Sequence, residues 1–144
     1  MQVHRKFTQE ESDPFKGIRF VERASKIINA DGSVVSSIDS VMVPDFWSQG
    51  AADIMALKYF RKNGIPARLK NVNEEGVPEW LQASEADPEA LVRLPEEERF
   101  VAEIDSRQVF RRLAGCWTYW GWKNKCFATE LEARAYYDEM CYML

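Results

Sequence analysis

Histidine is almost missing from this chain: His4 is the only one in 144 residues. Cysteine is scarce, with Cys116, Cys126 and Cys141 and no C-x-x-C pair. A structural zinc site needs about four converging ligands, so a metal centre is not expected. An odd, widely spaced set of cysteines is not a disulfide framework either. A Ser-His-Asp triad would have to draw on His4, which lies in a loose terminal segment. No G-x-G-x-x-G, P-loop or G-x-S-x-G pattern occurs, so neither a phosphate-cradling loop nor a nucleophile elbow is encoded. A basic surplus is lacking as well. Nineteen Lys and Arg face 23 Asp and Glu, for a net charge of −4, the wrong sign for a nucleic-acid partner. No stretch approaches the roughly 20 apolar residues that span a bilayer, and MQVHRKFTQEESDPF has no apolar h-region. The reading is a cytoplasmic protein with no membrane partner.

What is present is a core in the making. Apolar residues make up 46% of the chain and aromatics 12%, with five tryptophans. A chain of this length forms one domain and buries roughly two-thirds of its unfolded surface. Residues 1–15 read as a loose arm, punctuated by Asp13-Pro14, and residues 16–144 as one domain. Within it, residues 18–43 read as a β-hairpin. Asp31-Gly32 sits between an apolar-charged run and the β-branched run VVSSIDSVMV, and Asp-Gly suits a type I′ turn. The first arm also has a helical alternative.

Three principal helices are expected, at roughly 45–63, 105–122 and 129–144. The first begins after Pro44, with Asp45 or Ser48 as its cap, and lines Trp47, Ala51, Ile54, Met55 and Phe60 on one face. Gly64 fits its C′ position, and Lys58, Arg61 and Lys62 read as its solvated last turn. The second stripes Val109, Phe110, Leu113 and Trp117. The third opens on a capping box, Thr129 with Glu132. It carries apolar residues to Leu144 with no C-cap, which suggests a helix continuing in a longer parent. Between the first and second helices, VPEWLQAS suits a short helix started by Pro78, and the acidic SEADPEALVRLPEEER reads as a surface linker. The fold class expected is mainly α with a small β-hairpin (α+β).

The carboxylates do not assemble into an acid–base pair. Glu96, Glu97 and Glu98 read as a solvated run, and Asp138 and Glu139 as part of a solvated helix face. Cys116 and Cys141 read as buried structural thiols. Cys126, beside Lys125, has a weak tendency toward thiolate. The unusual element is WTYWGW, Trp117 to Trp122. A helix aromatic all round must be covered all round, so it is either a central core helix or an interaction surface. The candidate surface comprises Trp117, Trp120, Trp122, Tyr137, Met140 and Leu144. No catalytic, cofactor-binding or metal-ligating residue is assigned.

Several blocks together resemble the start of class II, vitamin B12-dependent ribonucleotide reductases. They are ADGSVV, VMVPDFWSQGAADIMALKYFRKNGIP, SRQVFRRLAGCWTYWGWKNKCF and ARAYYDEMCYML, in that order, covering most of residues 18–144. One departure is local. Where relatives look like K-x-G-Y-F, this chain has Lys123-Asn124-Lys125-Cys126-Phe127, which puts a loop glycine and a tyrosine in doubt. The resemblance implies a parent enzyme that reduces ribonucleoside diphosphates for DNA synthesis. Adenosylcobalamin would generate a cysteine thiyl radical there, in an α/β barrel C-terminal to this domain. No position here matches a catalytic residue of that barrel, so the cofactor and the ribonucleotide are expected to bind the barrel and not this chain. The barrel, in cis or as a separate chain, is the expected partner. The alternative is a free-standing binding or regulatory module that docks on the reductase or on a nucleotide.

Overall fold

The computed structural model describes residues 2–144. Helical segments account for 38% of the chain and strands for 21%, in three two-stranded antiparallel sheets. The mainly helical fold expected from the sequence is therefore corrected to a mixed one. Two of the three expected helices are long: α3 (Ser106–Lys123) and α4 (Glu130–Met143). The first is a six-residue α1 (Gln49–Ile54) that runs into a π-helical turn, Met55–Tyr59. The sheets pair β1 (Phe20–Ile28) with β2 (Val34–Pro44), β3 (Ile65–Pro66) with β6 (Phe100–Val101), and β4 (Leu69–Asn71) with β5 (Ser84–Ala86). The supposed acidic linker contains β5, the short helix α2 (Pro88–Val92) and a 3₁₀ turn, Glu96–Glu98. Asp87 caps α2 by accepting from the Glu89 and Ala90 amides, with Pro88 at the first helical position. Proline and acid punctuate short elements here; they do not abolish structure.

The chain forms two compact units. One comprises Gly17–Ile65 and Ala102–Val109, the other the residues up to Lys16, Pro66–Val101 and Phe110–Leu144. The first is built on the β1–β2 hairpin. Its turn differs from the expected type I′. Gly32 N–H donates to Asn29 C=O, Asn29 N–H donates to Ser33 C=O, and Gly32 alone in the turn has a positive φ, +86°. The loop is thus a longer turn closed by a left-handed glycine, with the Asp31 carboxylate accepting from Ser33. Val41 and Val43 alternate into the core of this unit with Ala52, Met55, Ala56 and Phe60. The Ser25 hydroxyl donates to Asp53, and the Gln49 amide donates to both Asp53 and the Ala24 carbonyl, fixing α1 on β1.

The shortening of the first helix has a physical cause. A π turn places residues i and i+5 on one side, and Phe60 N–H donates to Met55 C=O. Met55 and Phe60 are thereby buried together while Ile54 is turned to solvent at 59%. Ser48 is the N-cap. The Lys62 ammonium donates to the Ala56 carbonyl, satisfying one of the orphan acceptors at the helix end. Gly64 does take a positive φ, but it lies five residues past the helix and is not its C′ residue.

Candidate docking surface and charged cleft

In the second unit, α3 and α4 run antiparallel through a loop at residues 124–129. Their facing positions step in opposite directions. Phe127 packs on Gly121, where an added Cβ would lie 2.6 Å from the ring, and Tyr137 lies opposite Gly115. The Arg111 charge reaches Cys141. The loop turns on a Schellman motif: Cys126 N–H donates to Gly121 C=O, and Lys125 N–H donates to Trp122 C=O. Its C′ residue is Lys125, at φ +56°. This is the loop glycine that the resemblance put in doubt, and the turn forms with a lysine in a conformation that suits glycine.

The aromatic face of α3 is covered by the segment preceding Trp80. The Trp122 Nε1–H donates to the Gly76 carbonyl at 2.7 Å, and the Tyr119 hydroxyl donates to Glu74 at 2.8 Å. Lys123 also donates to Glu74. Lys123 and Tyr119 hold the Glu74 carboxyl below its usual range, while Glu74 raises both the Tyr119 hydroxyl and the Lys123 ammonium. The polar tips of Trp122 and Tyr119 are thus satisfied. The most buried residue of WTYWGW is Thr118, whose hydroxyl donates to the Ala114 carbonyl.

The six residues singled out from the sequence do not share one patch. Trp117 and Trp122 are half-buried, and Trp120 is 58% exposed at the C-terminal end of α3. Tyr137 is half-buried halfway along α4, and burial pushes its hydroxyl well above the usual range. Met140 and Leu144 are half-buried on the last turns of α4, which lead away from Trp120. A different apolar group gathers at that end. Phe7 stacks on Tyr142 with ring centroids 5.1 Å apart, and Met143, the next residue in sequence, is 57% exposed.

Sequence reasoning missed the acids of α4. Asp138 and Glu139 are buried, at 1% and 6% exposure. Asp138 accepts from Arg5 at 2.8 Å and from Arg134 at 3.1 Å. Glu139 accepts from the Phe7 and Thr8 amides and from the Thr8 hydroxyl, the last at 2.6 Å. Burial alone would raise the Glu139 carboxyl. The hydrogen bonds from Thr8, Phe7 and Lys6 outweigh it and hold the carboxyl below its ordinary value. One signal was available. Ala135, Asp138 and Cys141 follow i, i+3, i+6 and are all buried, so Asp138 shares a face with a cysteine read as core.

Trp80, Arg134 and Tyr137 form a second grouping. Arg134 lies 5.0 Å from the Trp80 ring and 5.4 Å from the Tyr137 ring, and the rings are tilted at 5.7 Å. They wall a cleft of about 840 Å³. Of the cysteines, Cys141 is buried and burial pushes its thiol up to about 11, while Cys116 and Cys126 are exposed. Cys116 therefore does not belong to the core as expected. Among the described residues, no group of three or more His, Cys, Asp or Glu side chains is placed to hold a metal ion, and no helix is long and apolar enough to cross a membrane.

A family profile described as class II vitamin B12-dependent ribonucleotide reductase matches residues 21–144. The chain belongs to that family. It is 54% identical over all 144 residues to a vitamin B12-dependent ribonucleotide reductase of Bradyrhizobium diazoefficiens, and 50% identical to one of Agrobacterium fabrum. The match takes up the whole of this chain but 12% and 11% of those relatives' lengths. It corresponds to the N-terminal region of these class II reductases, so in the relatives the matched region is one part of a much longer polypeptide.

Proposed function

We propose that this domain packs against the catalytic region of an adenosylcobalamin-dependent ribonucleoside-diphosphate reductase in the cytoplasm and supplies no reacting group of its own. The exposed patch of Phe7, Tyr142 and Met143 carries this reading. Exposed apolar side chains gathered at one helix end mark interaction sites, and the relatives hold most of their chain outside the matched region. Trp120, exposed at the other end of the helical hairpin, is a second contact of the same kind.

The cofactor and the ribonucleotide belong, on this reading, to the catalytic barrel. The cleft beside Trp80 is of the size that takes drug-sized ligands, and its lining is charged. A corrin ring with its nucleotide and adenosyl arms is larger than that, so these residues do not fit adenosylcobalamin. Nucleic acid and membrane are not proposed as partners.

The test is co-expression of this chain with the polypeptide that completes a relative's length. Co-purification is expected, with ribonucleoside diphosphate reduction in the presence of adenosylcobalamin only when both parts are present. Phe7→Glu with Met143→Glu should weaken the association at least tenfold. Absence of any association, or turnover by this chain alone, would sink the proposal.

A further inference from the structure

The cleft beside Trp80 has features that a packing role does not use. Its three arginines are unequally neutralised. Arg111 pairs with Asp13 at 2.8 Å, which cancels both charges. Arg5 and Arg134, in contrast, share the single carboxylate of Asp138. With Glu130 on the same wall and Glu10 and Glu11 also lining the cleft, there is no surplus positive charge, and what the cleft offers an anion is unused guanidinium N–H donors. Arg5 is the less exposed of this pair, at 18% against 41% for Arg134. The one hydrogen bond made by Arg134 uses Nε, leaving both terminal amino groups without an acceptor among the described residues. Arg5 engages only one of its terminal amino groups, with Thr8 and Asp138. Guanidinium groups with free paired donors suit carboxylate and phosphate oxygens.

The same wall is aromatic, with the Trp80 and Tyr137 rings inclined at 57°. Trp80 is held in place by its Nε1–H bond to Glu130 at 2.8 Å, and Arg134 lies over both Trp80 and Tyr137. Opposite stands a turn containing Glu11, a non-glycine residue at φ +55°. Glu10 and Glu11 are exposed on the rim, where solvent and salt screen their repulsion of an incoming anion. The volume of about 840 Å³ leaves room for a body of more than one ring.

We propose that this cleft binds a flat organic anion, with its aromatic body against Trp80 and Arg134 and its carboxylate or phosphate head on Arg5 and Arg134. Binding there does not depend on the docking role above, because the cleft and the Phe7–Tyr142–Met143 patch share no residue.

Four probes separate the parts: 2-naphthyl phosphate, 2-naphthoate, the neutral 2-naphthamide and inorganic phosphate. The readout is the indole N–H resonance of Trp80, assigned with Trp80→Phe among the five tryptophans. At least one of the two aromatic anions should shift it saturably, and which one does so identifies the head group. The neutral amide and inorganic phosphate should each bind at least tenfold more weakly than that anion. Arg134→Gln should weaken the anion about tenfold, the usual size of a lost charge-assisted hydrogen bond. Glu10→Gln should leave binding unchanged or tighten it. Arg134→Gln keeps Arg5 on Asp138, and a native urea midpoint for Arg134→Gln controls for folding. The proposal is overturned if neither anion moves the Trp80 resonance at millimolar concentration. Equal binding of 2-naphthamide, or full affinity in a folded Arg134→Gln variant, overturns it as well.

Discussion

Glu96-Glu97-Glu98 and Asp138-Glu139 look alike as text, since each is a short acidic run on a helical segment, yet they end in opposite surroundings. The first three are exposed on a 3₁₀ turn. The second pair is among the most buried polar groups of its unit. The difference lies in what each run finds across the fold. Asp138 and Glu139 meet Arg5, Phe7 and Thr8, more than 130 residues away in sequence. The glutamates of the 3₁₀ turn meet water. An acidic run therefore says little about burial until its distant partners are known, because a buried carboxylate persists only when donors and cations compensate its desolvation.

The largest effect expected from breaking this contrast is at Asp138. Asp138→Ala leaves Arg5 and Arg134 without their shared carboxylate and opens space beside Cys141. Removing one partner of a buried ion pair costs about 3 kcal/mol, and the loss should appear as a lower urea midpoint at unchanged m-value. A loss below about 0.5 kcal/mol, the scale of ordinary surface substitutions, would mean that the burial of Asp138 carries no energetic weight.

Glu139→Gln comes next. It keeps the shape but gives up an ionised acceptor for the amides of residues 6–8, a loss of about 1–2 kcal/mol. Its pH dependence is distinctive. The Glu139 carboxyl titrates below its ordinary value of 4.5 in the folded chain, so the unfolded state takes up its proton first as pH falls. The stability it contributes is complete above 4.5 and is lost as the pH drops through the lower folded value. Urea midpoints measured from pH 6 to pH 3 should fall less steeply in Glu139→Gln than in the parent chain. Parallel profiles would show that the hydrogen bonds from the N-terminal segment do not favour the ionised form.

The legible parts of the sequence follow the same divide between local and distant partners. The Thr129–Glu132 capping box and the span of α3 were readable because their determinants lie within a few residues. The hairpin was readable for the same reason. Its turn type was not, because Asn29 and Ser33 close a longer loop than Asp31-Gly32 alone requires. Gly64 misled about the first helix, since burying Met55 and Phe60 together selects a π turn that ends earlier. The aromatic helix was recognised as needing cover. The residues that cover it, Glu74 and Gly76, lie in a stretch without periodic pattern. The cleft was invisible for the reason Asp138 was: Arg5, Trp80 and Arg134 come from three separate segments.

Lys125 offers a smaller effect, of opposite sign, in the local class. A lysine in the left-handed region at C′ is strained by about 1 kcal/mol relative to glycine. Lys125→Gly should therefore raise the thermal midpoint, by a few degrees for about 1 kcal/mol in a domain of this size. The exposed side chain makes no ion pair among the described residues. A lowered midpoint would show that the lysine makes a compensating contact that the Schellman geometry alone does not require.

The smallest effect belongs to the other side of the comparison. Replacing Glu96, Glu97 and Glu98 together by glutamine changes the net charge from −4 to −1, since three negative charges are removed. The three side chains are exposed, so surface substitution predicts less than about 0.5 kcal/mol each. Removing like charges from one short turn also relieves some mutual repulsion, which works against the loss of favourable charge at a helix start. The urea midpoint should stay within error of the parent at moderate salt. A clear loss from this triple change, comparable to that of Asp138→Ala, would mean that the acidic turn has a structural partner of its own, and the distinction between compensated and solvated acids would have to be redrawn.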